Sequence, residues 1–403
     1  MSTPANRPSA SRGTNRFNKG ALIAAAIIVV VVLYGSLYPF TFYQPESGVG
    51  PLKHLERNWA DTPGRGDFIA NIFLYLPLGF FGSLAVAGVG RTLPRILFVT
   101  LAGGLLSTTM ELAQYYIAER VSAADDVYAN LIGTVLGAVV GNLAGGDFLW
   151  LPSREIAANR VPCLLLGLWL AYRLYPYVPV IDLHKYWDAL KPAVLHPRPA
   201  GYELFRYTTI WLTVSSLIES VDGRRRGWLL IPLFIAAVLV AKVVIIGKTL
   251  SAAEIGGAAI ALAVWLLLAF SVSMRIRVAA TALLFAAYIV AERLEPFQFG
   301  AYGRAFGWIP FRSFLYGSVE VNITSFLEKA FLYGALIWLL DKCGLRSALS
   351  TILVAMLLFA TSWAETHLPG RSAEITDPLM ALLIGIIITV VKTPTEGSGN
   401  GTA

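Results

Sequence analysis

The sequence is short of charge and of the residues that build catalytic and metal centres. Of 403 residues only 14% are charged, two are cysteine and four are histidine. Two cysteines exclude a disulfide-stapled scaffold. His54, His184, His196 and His367 occur singly, which leaves no zinc-type ligand set. There is no His-Glu-x-x-His, no Cys-x-x-Cys, no phosphate-binding glycine loop and no Gly-x-Ser-x-Gly elbow. Gly 36 and Pro 21 fall far below collagen-like or low-complexity levels. Together these absences argue against the common hydrolase, metalloenzyme and nucleotide-binding designs, and no cofactor or metal is expected. What is abundant is apolar: 56% of residues are hydrophobic and the mean hydropathy is +0.64, the composition of a membrane protein. The formal charge of +7 does not point to nucleic acid, because the Lys and Arg fall mainly in short gaps between apolar runs.

A helix needs about 17 to 25 apolar residues to cross the hydrocarbon. Twelve stretches qualify, near 20–38, 68–89, 93–117, 126–148, 161–178, 204–221, 227–247, 252–272, 275–294, 322–341, 346–367 and 373–391. The expected fold is therefore all-α and polytopic, with about 12 transmembrane helices. The first run follows Arg7, Arg12, Arg16 and Lys19; it is too long for a signal h-region and lacks a small-residue cleavage site, so it reads as an anchor. With the N-terminus in the cytoplasm, every inner connection is basic, including Arg91 and Arg95, Arg154 and Arg160, Arg224 to Arg226, Arg275 and Arg277, Lys342 and Arg346, and Lys392. This predicts a bacterial inner-membrane protein with both termini cytoplasmic. Cys163 and Cys343 fall at cytoplasmic helix ends and are expected to be free thiols.

An internal repeat runs through the chain. Leu37-Tyr38-Pro39-Phe40 returns as Leu174-Tyr175-Pro176-Tyr177 and as Leu294-Glu295-Pro296-Phe297. A second marker aligns Gln114, Arg120 and Asp126 with Lys242, Lys248 and Glu254, and with Glu365, Arg371 and Asp377, at identical spacings of six residues. Two markers in register predict three parallel four-helix blocks, 19–150, 158–273 and 274–392, between polar tails at 1–18 and 393–403 that are expected to be disordered.

The first block joins Asp67, Asn71 and Pro77-Leu78-Gly79-Phe80 to Glu111, Gln114, Arg120, Asp126, Asn130 and Gly133. This pattern, an Asp-x3-Asn leading into a Pro-Leu-Gly helix, a Glu-x2-Gln helix end, an Arg and an Asp-x3-Asn-x2-Gly helix start, resembles the VanZ-like family of bacterial membrane proteins. The third block keeps Pro369-Gly370-Arg371, Asp377 and Gly385, but has Ala381 at the Asn130 position and Lys329 near that of Asn71. The middle block keeps only Lys248 and Glu254, with Ala258 at the Asn position. The resemblance implies an association with low-level teicoplanin resistance and supplies no reaction.

The site residues are therefore argued from their chemistry. Arg120, Lys248 and Arg371 each precede by six residues a carboxylate that starts a helix. In one reading Asp126, Glu254 and Asp377 are helix caps, stabilised by the dipole by roughly 0.3–1 kcal/mol, and the cations are interfacial anchors. In the other, the cations hold the phosphate of an anionic lipid, of the undecaprenyl-phosphate carrier type, or the site takes a glycopeptide antibiotic. Among charges inside apolar runs, Lys242 reads as snorkelling, whereas Glu111 and Glu365 need partners, the nearest cations in sequence being Arg120 and Arg371. Asp67, Asn71, Gln114, Asn130 and Lys329 complete the candidate ligand-binding set. Leu52–Trp59, Leu183–Leu190 and Trp308–Leu315 read as interfacial helices, or as lids over a site. The function expected is binding or moving an amphiphile at the outer face of the envelope; a membrane scaffold for envelope enzymes, or acid–base lipid-phosphate chemistry by Glu111, Asp126 and the arginines, are the alternatives.

Overall fold

The computed structural model describes residues 18–45, 48–57, 65–88, 91–118, 120, 122–144, 159–195, 197, 200–269, 271–315 and 319–392. The tails assigned to 1–18 and 393–403 lie outside these residues except for Asn18. Among the described residues the protein is all helical, with fourteen α-helices, one 3-10 turn and three isolated β-bridges. It forms two compact units, residues 1–149 with 395–403, and residues 150–394.

The first unit contains α1 (Lys19–Leu37), α2 (Pro51–Arg57), α3 (Arg65–Ala85), α4 (Thr92–Gln114) and α5 (Ala124–Ala144). Helix α1 opens on Asn18, whose side chain accepts the amides of Gly20 and Ala21 at 3.1 and 3.2 Å, satisfying two donors of the first turn. Its buried residues are mainly small ones, Ala21, Ala24 and Ala25, with Ile28 and Val32 beyond them. The tightest packing joins α3 to α5. A Cβ on Gly137 would stand 1.9 Å from the Leu76 carbonyl, on Gly133 2.3 Å from that of Ile72, and on Gly79 2.0 Å from that of Thr134. Gly133, Gly137 and Gly141 recur every four residues on one helix face, so backbone meets backbone, as small-residue interfaces allow in lipid.

The second unit contains α6 (Arg160–Leu174), α7 (Leu183–Leu195), α8 (Gly201–Val244), α9 (Ala252–Ala269), α10 (Met274–Leu294), α11 (Arg312–Leu315), α12 (Val319–Lys342), α13 (Ser347–Ala364), the 3-10 turn Glu365–His367 and α14 (Thr376–Lys392). Helix α8 is helical over 44 residues yet cannot be straight. A Cβ on Gly257 of α9 would meet Tyr207 at 2.6 Å, while Glu254, one turn away, is bonded to Lys242. Thirty-five residues of straight helix would hold Tyr207 and Lys242 about 52 Å apart. The chain therefore folds back between these contacts: Glu219 and Gly227 both meet Trp265, which sets the reversal between them, where the sequence reading placed an inner connection between two crossings.

Two segments are surrounded by protein. Every residue from Thr209 to Glu219 in α8 and from Ala330 to Leu339 in α12 is buried, and Trp169 of α6 packs edge-on against Trp211 at 5.0 Å. Eight described helical segments are long and apolar enough to cross a membrane: Lys19–Leu37, Phe68–Ala85, Thr92–Gln114, Arg226–Val244, Ala252–Ala269, Met274–Leu294, Val321–Lys342 and Ser347–His367. The other expected crossings are present as helices but differ for physical reasons. Helix α5 carries packing glycines with Asn130 and Thr134, the first half of α8 buries Thr209, Thr213, Ser215 and Ser216 against protein, and α6 and α14 have 15 and 17 residues. The chain is thus a multi-pass helical membrane protein.

Helices α1, α6 and α10 end alike, on cis peptides at Tyr38-Pro39, Tyr175-Pro176 and Glu295-Pro296, followed by left-handed Phe40, Tyr177 and Phe297. Antiparallel bridges Phe42↔Ile117 and Pro179↔Ile245 occupy the same register, whereas the corresponding loop of the third block makes a parallel bridge, Gly307↔Glu374.

Candidate functional site

Within the second unit, ion clusters gather where α6 and α10 end and where α9 and α14 begin. The Ser251 Oγ accepts the Glu254 amide at 3.1 Å and caps α9. This leaves the Glu254 carboxylate, 1% exposed, to turn inward, where it accepts from both Arg173 and Lys242. Lys242 is itself buried, so the ammonium that the sequence reading sent to the interface is instead held by a carboxylate. Burying a charge is costly unless it is paired, and this pairing meets that requirement on both sides.

The second cluster centres on Arg293 of α10. Its guanidinium donates to Asp377, to Glu365 Oε2 at 2.9 Å, to Thr361 Oγ1 and Ser362 Oγ at 2.7 Å, and to Tyr333 Oη at 3.3 Å. Lys329 adds a bond to Asp377 Oδ1 at 2.8 Å. One planar fork thus ties four helices together, a geometry that a lysine cannot reproduce. Nearby, Tyr202 donates to Glu292 at 2.8 Å, and Arg206 lies 3.8 Å from both Glu292 and Glu328.

Two of the interfacial cations bond backbone carbonyls at helix ends. Arg120 donates to the carbonyls of Gly35 at 2.7 Å and Tyr38 at 3.1 Å, and Arg371 to that of Glu295 at 2.9 Å, closing the ends of α1 and α10. Two cations from the long loops clamp other helix ends. Lys185 donates to the carbonyls of Lys242, Val243 and Lys248, and Arg304 to those of Glu365, Leu368 and Arg371. The accepting residues 242 and 248, and 365 and 371, are the repeat's own marker positions.

Lys248 is the exception. It lines a cavity of about 300 Å³ together with Tyr172, Arg173, Tyr207, Lys242, Gly247, Thr249, Thr324 and Glu328. No hydrogen bond or ion pair joins its ammonium to another described residue. Burial, and then the charge of Arg173, hold its pKa below the ordinary lysine value. Three cations face this space against one lining carboxylate, Glu328, with Glu254 behind. The larger depression, about 650 Å³ in the first unit, is open and mainly apolar, lined by Phe42, Tyr43, Pro51, Leu112, Ala113 and Tyr116, and carries no charged group.

In the first unit, Asn71 donates to Asp126 at 2.5 Å, Glu111 accepts the Ala123 amide at 2.9 Å, Gln114 donates to the Ser36 carbonyl at 3.0 Å, and Asn130 donates to Ser107 at 2.9 Å. The Asp67 side chain lies outside the described ones. The sequence reading singled out Glu111, Lys242, Glu254, Lys329, Glu365 and Asp377, but passed over Arg173 and Arg293, which hold three of them, Glu254, Glu365 and Asp377, in place. A signal was available: each arginine directly precedes the leucine of the Leu-x-Pro-aromatic marker, as Ser36 does in the first block. Cys163 and Cys343 form no disulfide, and among the described residues no group of three or more His, Cys, Asp or Glu is placed to hold a metal ion.

No curated protein and no solved structure matches the chain. The family model described as VanZ/LLP1 matches residues 11–145. The first block of this multi-pass membrane protein, with its Asn71, Glu111, Gln114, Asp126 and Asn130 cluster, is accordingly a VanZ/LLP1 segment.

Proposed function

We propose that the protein binds an amphiphile with a phosphate-bearing headgroup at the outer face of the bacterial inner membrane, a carrier or envelope lipid of the undecaprenyl-phosphate type. The observation that carries this reading is the cavity of about 300 Å³ into which Arg173, Lys242 and Lys248 bring positive charge, with the Lys248 ammonium unpaired among the described residues. Arg173 and Lys242 share the single negative charge of Glu254 and form the wall; Lys248 is the cation left for a ligand. A phosphate oxygen accepting from it would make a charge-assisted hydrogen bond and restore the charged lysine that burial disfavours. Thr249 and Thr324 supply hydroxyl donors in the same space. The basic connections at the opposite helix ends support this orientation by the positive-inside rule.

The test is native mass spectrometry of the chain purified from membranes, comparing wild type with Lys248→Ala and with Arg371→Ala, whose guanidinium serves a helix end. Wild type and Arg371→Ala are expected to carry a phosphate lipid, and Lys248→Ala to lose it about 10-fold or more, the worth of one charge-assisted bond. Equal occupancy in all three would refute the cavity as the site and favour a scaffold.

A further inference from the structure

In sequence register Ser36 stands where Arg173 and Arg293 stand in the later blocks. In the third block the guanidinium of Arg293 is received by Asp377, Tyr333 and Ser362 among others. The same register places Asp126 at the Asp377 position and Glu111 at the Ser362 position, while Tyr75 lies four residues after Asn71 as Tyr333 lies four after Lys329. The first block therefore keeps Asp126 and Tyr75 of the receptor, carries its second carboxylate at the Ser362 position while Gln114 stands at that of Glu365 and Met110 at that of Thr361, and lacks the arginine.

The geometry carries the consequence. Asn71 and Tyr75 on α3, Ser107 and Glu111 on α4, and Asp126 and Asn130 on α5 are each four residues apart and share a helix face. The bonds Asn71–Asp126 and Asn130–Ser107 show that these faces converge in two stacked layers. Glu111 is 3% exposed and feels the charges of Asp126 and Asp125. Tyr75 is fully buried; its hydroxyl approaches Ser107 and Glu111 without making a hydrogen bond of acceptable geometry. The Oδ1 of Asn130, itself 4% exposed, is likewise buried with no partner among the described residues. Buried acceptors in this state are rare in native proteins, because each forfeits its hydration. Arg120 is the cation that acts on Glu111, but its Nε and Nη2 donate to Tyr38 and Gly35.

We propose that this cluster in the first unit is a binding site for a ligand-borne organic cation, a protonated amine or a guanidinium, which takes the place that Arg293 fills in the third block. An ammonium has three donors; Glu111, Asp126 and the Asn130 Oδ1 are three acceptors, and the Tyr75 oxygen is a fourth. The site is separate from the cavity of the second unit and stands or falls independently of it. The cation arrives either on a membrane lipid or on a soluble amine.

The experiment uses the full chain in detergent micelles with decylamine as probe, decanol as the neutral control, putrescine as the soluble amine and phosphatidylethanolamine as the aminolipid. Decylamine is expected to bind saturably and decanol not. Glu111→Gln should weaken decylamine binding about 10-fold or more. Ser36→Arg, which installs the internal guanidinium, should both abolish amine binding and raise the melting temperature without ligand. Competition by putrescine assigns a soluble amine; phosphatidylethanolamine retained by wild type in native mass spectrometry and lost in Ser36→Arg assigns the lipid. Equal binding of decanol, or decylamine affinity unchanged in Glu111→Gln, overturns the proposal, and the glutamine variant decides the matter if Ser36→Arg does not fold.

Discussion

Removing the Arg293 guanidinium is expected to destabilise the second unit far more than removing that of Arg371, although only Arg371 lies near Glu365 and Asp377 in sequence. The Arg293 side chain is 9% exposed and faces Glu365 and Asp377, which are 6% and 9% exposed. In Arg293→Ala, Asp377 keeps Lys329, but Glu365 loses its ion-pair partner and Thr361, Ser362 and Tyr333 lose a donor. Breaking a buried pair from one side costs roughly 3–5 kcal/mol. At roughly 2–4 °C per kcal/mol for a unit of this size, the melting temperature should fall by about 6–20 °C. Arg371 is 35% exposed, makes one hydrogen bond to a carbonyl and lies 4.0 Å from Glu295. Its removal should cost about 0.5–1.5 kcal/mol. Thermal unfolding in micelles followed by tryptophan fluorescence reports this directly, because Trp169, Trp211 and Trp338 are fully buried in the second unit. Arg293→Lys should fall between wild type and the alanine variant, keeping charge but losing the fork. A loss in Arg371→Ala equal to that in Arg293→Ala would refute this account of what holds the unit together.

Gly137→Ala should destabilise the first unit by about 1–3 kcal/mol, because its Cβ would stand 1.9 Å from the Leu76 carbonyl and force α3 from α5; Gly167→Ala, with open space around it, should be neutral or better in the same melting assay. Phosphate-lipid retention should weaken as pH rises through the lowered pKa of Lys248, whose neighbours Arg173, Lys242 and Glu254 are already paired; Lys248→Arg, which stays charged, should retain lipid across that range. A flat pH profile in wild type would remove Lys248 from the binding step.

The polar residues of the helices show how a membrane protein uses them. Glu219 receives Trp265 at 2.8 Å and both Nη atoms of Arg277 at 2.8 and 2.6 Å, at the helix ends opposite the Arg293 cluster. Every strongly buried carboxylate of the second unit thus has a basic or indole donor from another helix. In hydrocarbon such a bond replaces hydration that is absent, so each pair also specifies which helices are neighbours.

Length and hydropathy alone were enough to establish a multi-pass helical membrane protein, because the bilayer imposes a minimum apolar length on any helix that crosses it. The resemblance to the VanZ-like pattern pointed to Asn71, Glu111, Gln114, Asp126 and Asn130 as one group, whereas spacing by itself places only Asp126 and Asn130, four apart, on one helix face. Which cation meets which carboxylate was not legible, because Arg173 and Glu254 lie 81 residues apart and Arg293 and Asp377 84. Sequence proximity favoured Arg120, Lys248 and Arg371, but two of these turn to helix-end carbonyls and only Lys248 faces a cavity. Ion pairing in a low-dielectric interior is decided by distances of a few ångströms, and only the packing of α6, α8, α9, α10, α13 and α14 sets those distances.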